Sequence, residues 1–121
     1  MFRLYFSKIF ILILVIITFQ QCINYTQSEK RSAKFIEIAK AYEQIGEYSN
    51  ALTYYQQAYY LIPKIQWAEK VGSLYLKNHQ YKAGLLWFKK QFKKVNVSQP
   101  LYATYARLLM YNDEYSSAKR Y

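Results

Sequence analysis

One spacing of residues comes back three times between residues 33 and 121, and it constrains the fold more than any other feature of the chain. In its first copy it reads Phe35-x-x-Ile38-Ala39-x-x-Tyr42, then Gly46-x-Tyr48-x-x-Ala51-x-x-x-Tyr55-x-x-Ala58, and it closes on Pro63. A shift of 33 residues brings Val71, Gly72, Tyr75, Tyr81, Gly84 and Phe88 to the corresponding places. A further shift of 34 brings Tyr102, Tyr105, Ala106, Leu109, Tyr115 and Ala118. Large apolar residues three and four apart make one stripe along an α-helix. Each stripe contains a residue with almost no side chain (Ala39, Gly72 or Ala106), and a second small residue (Ala51, Gly84 or Ala118) follows on the next helix. Helix axes approach closely only where bulk is missing. The pattern therefore specifies pairs of tightly packed helices, with Tyr42, Tyr75, Tyr55 and Phe88 filling the space beside the small positions.

The punctuation agrees. Gly46-Glu47-Tyr48, His79-Gln80-Tyr81 and Asn112-Asp113-Glu114-Tyr115 fall between the helical stretches, where Gly and Asn tolerate the left-handed backbone that ends a helix. Pro63 cannot continue the helix that carries Leu61 and Ile62, and Pro100 suits the first turn of a new one. With only three Gly and two Pro among 121 residues, the chain is expected to be all-α and to hold one domain at most. Many of its 15 tyrosines fall on core positions of the pattern and need no ligand to explain them. An ordinary helical bundle would share the composition, but it has no reason to keep both small positions and the turn in register.

These residues resemble the tetratricopeptide (TPR) repeat, whose signature is W-x-x-L-G-x-x-Y, then A-x-x-x-F, then P. The second copy departs from it in Ala68 and Val71, where Trp and Leu are usual, in Gly84 for Ala, and in having no closing Pro. The resemblance implies a helical-hairpin solenoid of about two and a half repeats, bounded at 33–64, 65–98 and an incomplete 99–121. It also implies a function of binding a protein or peptide partner. In that family the first helices of successive repeats line a concave face. Carried onto this chain, the partner-binding stripe is Ile36, Lys40 and Glu43, then Glu69, Ser73 and Lys77, then Ala103, Arg107 and Met110, with Leu76 beside it. The Lys/Asn set with which some family members grip a peptide's terminal carboxylate is not reproduced, since Ile36, Lys40, Lys70, Ser73 and Thr104 stand in its place.

Residues 1–21 are of another kind and read as a signal segment. Arg3 and Lys8 precede an unbroken apolar run from Ile9 to Phe19. As a helix that run covers about 17 Å, short for a hydrocarbon core of about 30 Å but suited to the centre of a secretory signal peptide. Cys22, the single cysteine, follows directly, so no internal disulfide is possible. This arrangement resembles the lipid acceptor of bacterial lipoproteins, although Gln21 is not the small residue usual before the cysteine. The resemblance implies cleavage before Cys22, lipidation of its sulfur and a place in the bacterial cell envelope, at the outer membrane or the periplasmic face. An uncleaved signal anchor and cleavage elsewhere are the competing readings. Residues 22–32 are polar, lack helical periodicity and read as a short tether.

The net charge is +10, and loss of residues 1–21 leaves +8, half of it from Lys89, Lys90, Lys93 and Lys94. Such a run is most often the solvated face of a helix, here outside the inward-facing Phe88, Phe92 and Val95. No nucleic-acid-binding signature accompanies it. His79, the one histidine, lies in a turn and lacks ligand-spaced neighbours, and no phosphate loop, activated nucleophile or carboxylate pair is present. An enzyme, a cofactor and a small-molecule substrate are therefore not expected. The expectation is an exported, lipid-anchored scaffold that holds a protein partner at the envelope. Two alternatives stand beside it. One is the amino-terminal part of a larger OmpA-like, peptidoglycan-associated lipoprotein, whose front is similar to the lipid-acceptor cysteine followed by the repeats, with the block Leu101–Leu109 and then Tyr115-x-x-Ala118-x-x-Tyr121. The other is a membrane-surface binder working through the Lys89–Lys94 helix. After Tyr115 and Ala118 a complete third repeat needs further helical turns, so residues 100–121 are expected to be less protected from hydrogen exchange than residues 35–95.

Overall fold

The computed structural model describes residues 1–93 and 99–118, the side chains of the second stretch as far as Glu114. The described residues are all-α: α1 (Phe2–Gln44), α2 (Tyr48–Leu61), α3 (Ile65–Lys77), α4 (Tyr81–Gln91) and α5 (Gln99–Ala118). The links are short, so α1 to α4 run alternately up and down, each packed against the next. α5 packs against both α3 and α4.

Two of the turns are built alike. Gly46 and His79 both take positive φ, 80° and 55°. The Glu47 amide donates to Tyr42 O at 2.9 Å and the Gln80 amide to Tyr75 O at 3.0 Å. The Gly46 and His79 amides donate to Glu43 O and Leu76 O at 3.2 and 3.1 Å. Together these bonds satisfy the last carbonyls of α1 and α3 through a left-handed residue just past the helix. Between α2 and α3 the device is proline. Ile62 is extended, as a residue before Pro63 must be, and that ends α2 at Leu61.

The core forms around the absent side chains. Ala39, Ala51 and Ala58 are fully buried, Gly72 and Gly84 are buried with them, and Tyr55, Phe88, Leu74, Val71 and Leu108 fill the volume between. Aromatic edges close it, with the Trp87 ring 5.3 Å from Tyr59 and 5.2 Å from Phe88. The Ser32 hydroxyl, buried, donates to Ala58 O at 3.1 Å and fastens α1 to the end of α2.

Three expectations need correction. Residues 22–32 are helical and lie inside α1, which runs unbroken for 43 residues. They contain no Gly or Pro, and helix propagates cheaply between two stretches that are already helical. The turn expected at Asn112–Tyr115 is also absent, because α5 continues to Ala118. No glycine stands there, and Asn112, Asp113 and Glu114 can all remain helical. Finally, the third copy is set one position earlier than expected. Leu101 and Leu108 are buried, whereas Tyr102, Ala106 and Leu109 are exposed. Leu101, Thr104, Tyr105 and Leu108 form the packed stripe, and its spacing is as helical as the expected one.

Candidate functional site

Glu43, at the end of α1, joins three helices. Lys70 Nζ of α3 donates to its two carboxylate oxygens at 2.8 and 3.0 Å, and the Tyr55 hydroxyl of α2 donates to Oε2 at 3.1 Å. Lys77 Nζ lies 3.5 Å from Oε1 and 4.9 Å from the centre of the Tyr48 ring. Partial burial pushes the Glu43 carboxyl pKa up, but the Lys70 hydrogen bonds and charge, the Tyr55 hydroxyl and the Lys77 charge outweigh it. The pKa sits below its ordinary value. Burial, followed by the Glu43 charge and hydrogen bond, pushes the Tyr55 phenol up to about 12.

Glu43→Gln keeps the shape and removes the charge. It should cost about 1 kcal/mol at neutral pH, since Lys70 is partly solvated and recovers hydration. The sign with pH follows from the lowered carboxyl. Its stabilisation is complete above the unfolded-state pKa and disappears as pH falls through the folded-state value, so the variant should lose that part of the acid dependence. Urea titrations across the acid range measure it, and an unchanged acid profile would remove Glu43 from the role given to it.

The nine residues of the expected partner-binding stripe have different fates. Ile36 is buried in the core beside Ala39 and is not open to a partner, a correction that follows from its place one turn before Ala39 on the packed side of α1. Glu43 and Lys77 are brought together, yet Lys77 is paired with Glu43 and Glu43 spends its charge on both Lys70 and Lys77. Glu69 and Ser73 are half-buried on α3. Lys40 on α1, with Ala103, Arg107 and Met110 on α5, is exposed. Lys70 and the Tyr55 hydroxyl were absent from the stripe. The available signal was a tyrosine in a slot that Phe88 fills in the second copy, because a buried hydroxyl needs an acceptor.

Elsewhere, His79 is exposed, its Nδ1 2.6 Å from the Tyr81 hydroxyl. Among the described residues no group of three or more His, Cys, Asp and Glu could hold a metal ion. On α4, Lys89 and Lys90 face solvent, and Phe88, with Phe92 just past the helix end, packs inward. The helix ends at Gln91, so Lys93 stands in the turn beyond it, and Lys94 and Val95 lie outside the described residues. Side chains of α1 from Phe2 to Ile23 are exposed on every side, Cys22 among them. A helix apolar all round needs an apolar medium, and this one fits a signal sequence or membrane anchor. No family model, curated protein or solved structure matches the chain.

Proposed function

We propose that the chain is an exported, lipid-anchored TPR-like scaffold that holds a protein partner at a bacterial cell envelope. The observation that carries the reading is a pattern of burial that recurs at a constant 33 residues. Ala39 and Gly72 are buried, as are Ala51 and Gly84, Tyr55 and Phe88, and Ala58 and Gln91. At the same interval Tyr42, Tyr75 and Leu108 pack into the core, as do Phe35, Ala68 and Leu101. The two turns with positive φ obey the same interval. A chain that spends its sequence on repeating one hairpin gains an extended face and leaves that face free for a partner. Of the residues expected on that face, Lys40, Ala103, Arg107 and Met110 are exposed and Glu69 and Ser73 half-buried. At the 33-residue interval the α5 counterparts of Glu69, Ser73 and Lys77 are Tyr102, Ala106 and Met110, all exposed.

Export and anchoring are supported by the exposed apolar part of α1 and by Cys22 at its end. Labelled fatty acid should enter the wild-type chain and partition it into the detergent phase, and Cys22→Ala should abolish both. An unmodified Cys22 in the mass spectrum of the mature chain would end the lipid reading. Binding is tested separately, with photo-crosslinking residues at Lys40, Ser73 and Met110 and a control at Lys82. Protein adducts at the first three and none at Lys82 are expected in native envelopes. Adducts equal at all four positions, or at none, would sink the scaffold reading.

A further inference from the structure

The way the helices alternate sorts the charges of this protein by end. α1 carries the chain away from its apolar segment, and the turns at residues 45–47 and 78–80 lie at the far end. The link at residues 62–64 and the C-terminus of α4 come back to the near end. Side-chain contacts fix the same levels. Ser32 bonds to Ala58, Trp87 Nε1 donates to the Tyr60 hydroxyl at 3.2 Å, and Phe92 meets Tyr102 at 5.5 Å, all near the end from which the apolar helix emerges. Tyr81 stacks on Tyr111 at 5.4 Å at the other.

Charge follows this division. Lys30, Arg31 and Lys34 of α1, Lys64 of the α2–α3 link, and Lys89 and Lys90 at the end of α4 are all exposed at the near end. Glu29 and Glu69 are the acidic residues on that side. The other five acidic residues are Glu37, midway along the packed part of α1, and Glu43, Glu47, Asp113 and Glu114, which belong to the far end, where Lys40, Lys77 and Lys82 accompany them and Lys70 reaches Glu43. Neither α2 nor α4 contains an acidic residue. Lys30 and Lys64 border one shallow groove with Glu29, Ser32, Ala33, Ile36 and Ile62, so the α1 cations and the link stand at one height, with Glu29 the one acidic group in that lining.

We propose that this basic end is a seat for anionic lipid headgroups, held against the membrane by the unbroken α1. The proposal rests on the apolar part of α1, or a lipid on Cys22, lying in the membrane. From Cys22 to Lys30 the helix rises about 12 Å. A headgroup layer of roughly 5–8 Å, the reach of a lysine side chain and a Debye length of about 8 Å together span that gap. A flexible tether would leave the seat's position to chance, whereas a continuous helix fixes which end of the hairpins faces the lipid. The partner-binding side chains of α3 and α5 then stand roughly upright from the surface, open along their length.

The test uses the full chain reconstituted into phosphatidylcholine vesicles with and without 30% phosphatidylglycerol, a composition chosen to supply or withhold the charge. Flotation reports anchoring, and amine labelling read by mass spectrometry reports which lysines the surface covers. In the anionic vesicles Lys64, Lys89 and Lys90 should label about fivefold more slowly than in neutral ones, with the contrast fading at high salt. Lys40, Lys77 and Lys82 should label alike in both. The triple variant K64E/K89E/K90E should still float, and Lys30 and Lys34 should lose part of their protection. Equal labelling of near-end and far-end lysines in floating anionic vesicles would overturn the seat while leaving the anchor intact. A chain that floats with neither vesicle would overturn the anchor, and the seat with it.

Discussion

Gly72→Leu should cost about 3 kcal/mol or more, the largest loss of any single substitution considered for this chain. A Cβ at Gly72 would lie 2.5 Å from Phe88 Cζ, 2.7 Å from Phe88 Cε2 and 2.6 Å from Thr104 Cγ2. Phe88 is fully buried and boxed in by Trp87, Phe92 and Tyr105, so its ring has nowhere to retreat. Even Gly72→Ala should destabilise, although alanine gains about 1 kcal/mol in helix propensity over glycine. That reversal of sign is the sharper test, because a loosely packed α3 would be stabilised by the same change. Ala39→Leu and Ala51→Leu, at positions of zero exposure, should each cost about 1–3 kcal/mol. Lys90→Leu, on the outer face of α4, should stay within about 0.5 kcal/mol. Urea unfolding in detergent, followed by the near-ultraviolet signal of Trp67 and Trp87, gives all five values. Similar losses at Lys90 and at the small positions would mean that the helices do not cross where Ala39, Ala51 and Gly72 are.

Those small positions were legible in the sequence because their spacing is local: two helices and one turn fit within about 30 residues, and each signal lies within reach of its neighbours. The boundaries at Gly46, Pro63 and His79 were legible for the same reason, each resting on one backbone preference. The third copy failed where spacing alone was asked to choose a register. Tyr102, Tyr105, Ala106 and Leu109 make as good a stripe as Leu101, Thr104, Tyr105 and Leu108, and what separates them is tertiary: Thr104 approaches Gly72 and Leu108 approaches Gly84. Residues 22–32 failed differently. They have no amphipathic period of their own, and their helicity comes from the helix on either side. Of the candidate stripe, charge type could be read but partnership could not. Glu43 and Lys70 are 27 residues apart, and nothing local announces that they meet.

The alkaline limit of stability should be set in large part by Tyr55. Its phenol is fully buried, donates to Glu43 and has its pKa pushed up to about 12. In the unfolded chain it returns to about 10. The folded state therefore holds this proton more tightly, and the sign is fixed. The contribution is complete below pH 10 and is lost as pH rises towards 12. A difference of two pKa units corresponds to about 2–3 kcal/mol, comparable to the loss expected from a leucine in the core. Burial also raises Tyr59 and Tyr75, so wild type alone does not isolate the effect. The comparison that does is with Tyr55→Phe, which keeps the ring and removes the titrating group. At pH 8 the variant should be less stable by about 1 kcal/mol, the worth of a hydrogen bond to a charged acceptor partly offset by easier burial of phenylalanine. As pH rises the two curves should converge and then cross, with wild type falling faster above pH 10. Parallel curves would mean that the Tyr55 hydroxyl titrates as it does in water, and that the contact between α1 and α2 at Glu43 is open to solvent.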